Sequence, residues 1–159
     1  MDGARDDWTY HGVYRLDDND RAHILVEQIA FGPTERQGVA VLREIPEPQH
    51  GGFLWGYVGG SPTRAAEAIL ADALDLPDLS TLDDAHVPGR DRDRTSIRLR
   101  NDFCIDVLSQ LCHEWRLRRG AVLRWVRGWY AEHGITNVPL AAIRLPAIDP
   151  HEARRRTDR

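Results

Sequence analysis

FLWGYVGGSPTRAAEAIL, residues 53–70, joins two kinds of structure. Phe53, Trp55 and Tyr57 alternate with Leu54, Gly56 and Val58, the two-residue period of a strand. Gly59 and Gly60 then permit a tight reversal. Ser61 is a favoured N-cap residue, and Pro62 suits the first helical position, where its missing N–H costs nothing. From Pro62 to Leu74, apolar Ala66, Ile69, Leu70, Ala73 and Leu74 recur at helical spacing. The stretch predicts a strand, a turn and a helix. Gly56 leaves a gap on one side of that strand, which the low-bulk helix, through Ala66 and Ala73 and also Ala65, is expected to fill.

The chain before this junction predicts strands. YHGVYRL (10–16) and AHILVEQIAF (22–31) flank the turn-rich DDNDR, and VAVLRE (39–44) alternates after GPTERQG. With 53–58 they form four short strands in succession, an antiparallel meander. The chain after it predicts helices. One runs from about Ile97 to Trp115, and another from about Arg119 to His133 with Val122, Trp125, Val126, Trp129 and Tyr130 inward. Gly134 is a natural helix stop. Residues 135–150 read as extended. Strands followed by helices, rather than alternating with them, indicate an α+β fold, a small antiparallel sheet with about three helices packed on one face.

The 159 residues suit one domain. It is expected over 10–150, between a loose N-terminus (1–9) and a charged tail (151–159). The connection over 78–96 is charged and proline-bearing and predicts a long mobile loop, with room for one helical turn. No run of about 18 apolar residues suggests a membrane span. MDGARDDW lacks the basic and apolar regions of a secretory signal, so a cytoplasmic location is expected.

All 21 basic residues are Arg. Residues 1–89 carry 16 acids and 6 Arg, a balance of −10, and residues 90–159 carry 9 acids and 15 Arg, a balance of +6. The basic half either attracts the acidic half or offers a binding face. Its strongest nucleic-acid candidate is WRLRRGAVLRWVRGW (115–129), where Arg116, Arg118, Arg119, Arg124 and Arg127 accompany two helices joined by a short turn, as in a helix-turn-helix. Cys104 and Cys112 lie eight apart, too far to bridge within one helix, and read as small core residues. Seven scattered His show no zinc spacing, and no cofactor, metal or catalytic signature stands out.

Arg64 falls in the first turn of the expected helix, where a cation is disfavoured by about 0.3–1 kcal/mol. It either extends to an acid or to solvent, or shares an anion with the helix N–H groups. The candidate anion site is Gly59, Gly60, Ser61, Thr63 and Arg64.

WGYVGGSPTRAAEAIL resembles the WGYGGSGPAQLALAIL signature of a family of small bacterial and phage proteins known as a domain of unknown function. The resemblance extends to Phe103 and to Trp115, Leu117, Val122 and Trp125, which match a later Trp-x-Leu pattern. It spans roughly residues 10–130. The family's Gly-Ser-Gly-Pro is here Gly-Gly-Ser-Pro, and its Gln is Arg64. The resemblance implies a phage or mobile-element context and no mechanism. The expected function is a non-catalytic accessory or regulatory protein that binds a host protein or nucleic acid. The alternative is a small-anion or nucleotide-binding protein, or an enzyme, using the 59–64 turn.

Overall fold

The computed structural model describes residues 8–15, 21–30, 39–47, 52–83 and 94–145. Much of the connection expected to be mobile (84–93) and the charged tail lie outside them. The chain is α+β, as its sequence predicts. Strands β1 (Thr9–Arg15), β2 (Arg21–Ala30) and β3 (Val39–Glu44) precede helices α1 (Gly60–Ala73) and α2 (Thr95–Asp106). Strand β4 (Trp115–Arg118), helix α3 (Arg119–Glu132) and the one-turn α4 (Leu140–Ile143) follow. Two 3-10 turns, Leu79–Leu82 and Leu108–Gln110, flank α2.

The sheet is antiparallel in the order β3-β2-β1-β4. Its first three strands form the expected meander. The fourth comes from WRLR, between the two helices, and not from 53–58. That earlier stretch touches the sheet through one bridge, Phe53 to Ala22. Gly56 ends its extended course with φ 87°, so its N–H donates to Leu108 O at 2.9 Å and not to a sheet neighbour. Such a φ favours glycine. Gly56 is exposed, and the expected gap against α1 does not exist. The close approach occurs at Gly12 instead. It pairs with Trp115 across β1 and β4, and the Trp115 indole lies directly over it.

Period two sorts the sheet faces. Tyr10, Ile24, Val26 and Trp115 turn inward to meet Ala65, Ala66, Ile69, Leu70 and Ala73 of α1 and Val122, Leu123 and Val126 of α3. The apolar face of α1 is the one its spacing predicts, with both Ala66 and Ala73 buried. Helices α2 and α3 are clasped by two indole hydrogen bonds. Trp129 donates to Asp102 at 2.8 Å and Trp125 to Asp106 at 3.3 Å, two pairs one helical turn apart. Asp83 accepts from the backbone N–H and the hydroxyl of Ser96, satisfying a donor at the start of α2 that its own sequence leaves open.

Helix ends follow local chemistry. Gly134, with φ 64°, closes α3 as the C′ residue, and Ile135 N–H returns to Tyr130 O. Helix α1 ends the same way, with Leu76 N–H on Ala71 O, but the left-handed position is Asp75, with φ 57°. The expected α2 is shorter than its sequence suggests. It ends at Asp106, so Cys112 lies beyond it and is exposed, while Cys104 is buried; both are free thiols.

Candidate functional site

Helix α1 starts two residues earlier than Ser61 and Pro62 suggest. Gly59 is its N-cap, in an extended conformation and with no side-chain cap. A Cβ at Gly59 would stand 2.7 Å from the Tyr57 ring, so a side chain there would have to displace that ring. Thr63 closes the first turn twice, its N–H and its hydroxyl both donating to Gly59 O, at 3.0 and 2.6 Å. Ser61 serves another purpose: its Oγ accepts from the Arg64 guanidinium at 2.9 Å. Arg64 thus folds back along the turn and reaches no acid among the described residues. Its Nε is buried with no hydrogen-bond partner among the described residues.

Around this turn the molecule exposes apolar side chains. Tyr57 is 46% and Val58 62% exposed. Beside them Trp55, Gly56, Leu111, Cys112 and His113 line an open depression of about 370 Å³. The His113 ring lies 6.4 Å from that of Tyr14, which is also exposed. Two loops and the end of β1 therefore come together beside the N-terminal end of α1.

The five Arg of 115–129 do not share a face. The turn expected between two helices is strand β4, so there is no helix-turn-helix at this place. Arg119 is 7% exposed, its guanidinium 4.3 Å from the Trp8 ring and its Nε donating to Ala73 O at the end of α1. That position places its charge at the negative end of the α1 dipole. Arg116 and Arg118 project from β4, Arg116 lying 3.4 Å from Glu27. Arg124 is half-buried and Arg127 exposed on α3.

Two polar clusters were not legible in the sequence. His11 is 7% exposed on the sheet face opposite the helices. Its Nδ1 lies 2.6 Å from Glu27 and its Nε2 2.7 Å from Glu114. Arg116 completes this cluster, its guanidinium 3.5 Å from the same Nδ1. His23 pairs with Glu44 on the same face. The second cluster centres on Asp72 of α1. Its carboxylate accepts from Tyr10 Oη at 2.7 Å, Trp8 Nε1 at 3.1 Å and Arg43 at 2.8 Å. Burial, reinforced by the Asp72 charge, pushes the Tyr10 phenol far above its ordinary value. The hydrogen bond to Asp72 raises Arg43. These clusters bind strands to one another and to α1. No group of three or more His, Cys, Asp or Glu among the described residues is arranged to hold a metal ion.

A cleft of about 710 Å³ opens at the opposite, C-terminal end of α1. Trp8 and Arg119 form part of its lining, together with Leu74, Leu76 and Leu82 and with Leu140, Ala141 and Arg144 of the α4 region.

No family model, no curated protein and no solved structure matches the chain. No helix among the described residues is long and apolar enough to cross a membrane.

Proposed function

We propose that the protein is a non-catalytic interaction protein, an accessory or regulatory factor of phage or mobile-element type, that binds a partner protein through the N-terminal end of α1. The observation that carries this reading is the exposure of Tyr57 and Val58 beside the depression lined by Trp55, Cys112 and His113. Contiguous exposed apolar and aromatic side chains are what protein interfaces use at their centres. A protein is favoured over nucleic acid because Arg119 is buried and Arg116 lies against Glu27, which disperses the basic set.

The test is site-specific photo-crosslinking in the cells that carry the protein. A benzophenone side chain at Val58 is expected to yield a discrete protein adduct. The adduct should disappear with Tyr57→Asp and be absent when the crosslinker stands at Arg127, on the exposed face of α3. Equal yields at the two positions, or none at Val58, would refute the assignment.

A second reading rests on the buried, unpartnered Nε of Arg64. A small anion at the turn would be held by this guanidinium and by the N–H groups of Gly60 and Ser61, which precede the first intrahelical bond. Phosphate or ATP should then raise the melting temperature of the wild type and not of Arg64→Ala. The same response in both proteins removes this reading.

A further inference from the structure

We infer that the cleft at the C-terminal end of α1 is a binding site for a small amphipathic anion, an aryl or alkyl body carrying one acidic group. This goes beyond the interface proposed above and uses the other end of the helix, so either reading can fail alone.

Size comes first. About 710 Å³ falls within the range of roughly 300–1,000 Å³ in which small-molecule sites lie. Shape and polarity come next. Leu74, Leu76, Leu82, Leu140 and Ala141 line the cleft, and the Trp8 ring adds a flat aromatic surface. Leu140 is left 60% exposed at the lip, on a helix of a single turn. A body seated in the cleft would cover that apolar surface, each Å² contributing about 25 cal/mol.

Charge selects the sign of the ligand. The Arg119 guanidinium lies in the cleft wall against Trp8, and a cation in poorly hydrated surroundings acts more strongly on a ligand than one in open water. Arg144 stands at the rim with an exposed side chain that makes no hydrogen bond or ion pair among the described residues. Asp75 also lines the cleft; it is exposed like Arg144 and screened to the same degree, which leaves the buried Arg119 as the surplus charge, larger than the roughly half-charge of the α1 C-terminus that it caps. The balance favours one negative group beside Arg144, with the apolar body directed toward Trp8.

The probe is 8-anilinonaphthalene-1-sulfonate, an aromatic body with one anionic group, titrated by fluorescence at low salt. One saturable site per chain is expected. Ala141→Trp, which fills the cleft, should abolish it. Arg144→Glu should raise the dissociation constant at least tenfold, while the neutral N-phenyl-1-naphthylamine should be little affected by that change. Arg144→Ala repeats the test with a milder substitution if Arg144→Glu lowers the melting temperature. Absence of saturable binding to the wild type overturns the proposal. Binding that survives Ala141→Trp in a folded variant overturns the location, and binding indifferent to both Arg144 substitutions overturns the anionic assignment.

Discussion

Replacing Gly12 by Ala would place a methyl group where the Trp115 indole already lies. An ideal Cβ at Gly12 would stand 2.2 Å from Cε2, 2.3 Å from Nε1 and 2.6 Å from Cζ2 of Trp115. Carbon atoms rest at about 3.5–4.0 Å, so the ring would have to retreat by more than about 1 Å. It has little room to do so. Trp115 is 6% exposed and packs edge-on against Trp55, with ring centroids 5.3 Å apart. Overpacking of this kind costs about 1–3 kcal/mol. Ala in place of a strand glycine recovers about 0.5–1 kcal/mol of chain entropy. An overlap this deep belongs to the upper part of that range, about 2–3 kcal/mol, so the net expectation is a loss of about 1–2.5 kcal/mol, or about 2–10 °C in Tm for a domain of this length. Urea unfolding followed by tryptophan fluorescence would measure it. In a Trp115→Leu background the same Gly12→Ala change should cost almost nothing, because the obstructing ring is gone. A Gly12→Ala protein as stable as the wild type, or an equal penalty in both backgrounds, would refute the reasoning.

Three further outcomes are expected. Tyr10 has its phenol raised by burial and by Asp72, so the folded state resists its ionisation. Its contribution is complete below the ordinary tyrosine value of about 10 and is lost as pH rises beyond it, at up to about 1.4 kcal/mol per pH unit; Tyr10→Phe should flatten that part of the stability profile between pH 9 and 11. Asp75→Gly should raise stability by about 0.5–1 kcal/mol in urea, since the left-handed C′ position disfavours a side chain. Asp83→Ala should lower stability by about 1 kcal/mol and increase amide exchange at Ser96, as expected for loss of a helix-start acceptor.

Where periodicity ran unbroken, the sequence was a good guide. β1, β2 and β3 follow their alternation, and the inward faces of α1 and α3 follow spacing of three and four. Short or competing signals failed. FLWGYV alternates like a strand, but Gly56 turns the chain before a ladder can form. WRLR also alternates, yet four residues between two helical patterns carry too little signal to separate them from a helix end. Ser61-Pro62 suggested the wrong cap because Thr63 closes the first turn on Gly59 O and the Ser61 hydroxyl is taken by Arg64, contacts no propensity scale contains. Of the candidate site, the Gly59–Arg64 turn was legible from its own residues, whereas Cys112, His113 and Tyr14 reach it only through the fold. Asp72 joins partners 62 and 64 residues away, and Arg119 is buried beneath a residue near the start of the chain. Neither has a local pattern to announce it.

The central functional claim is that partner contact occurs at the N-terminal end of α1. Hydrogen exchange tests it most directly, comparing the protein alone with its complex with the partner recovered by crosslinking at Val58. Protection concentrated in residues 55–60 and 111–114 is the predicted result. Protection confined to the outer sheet face around His11 and His23, with residues 55–60 unchanged, would contradict it.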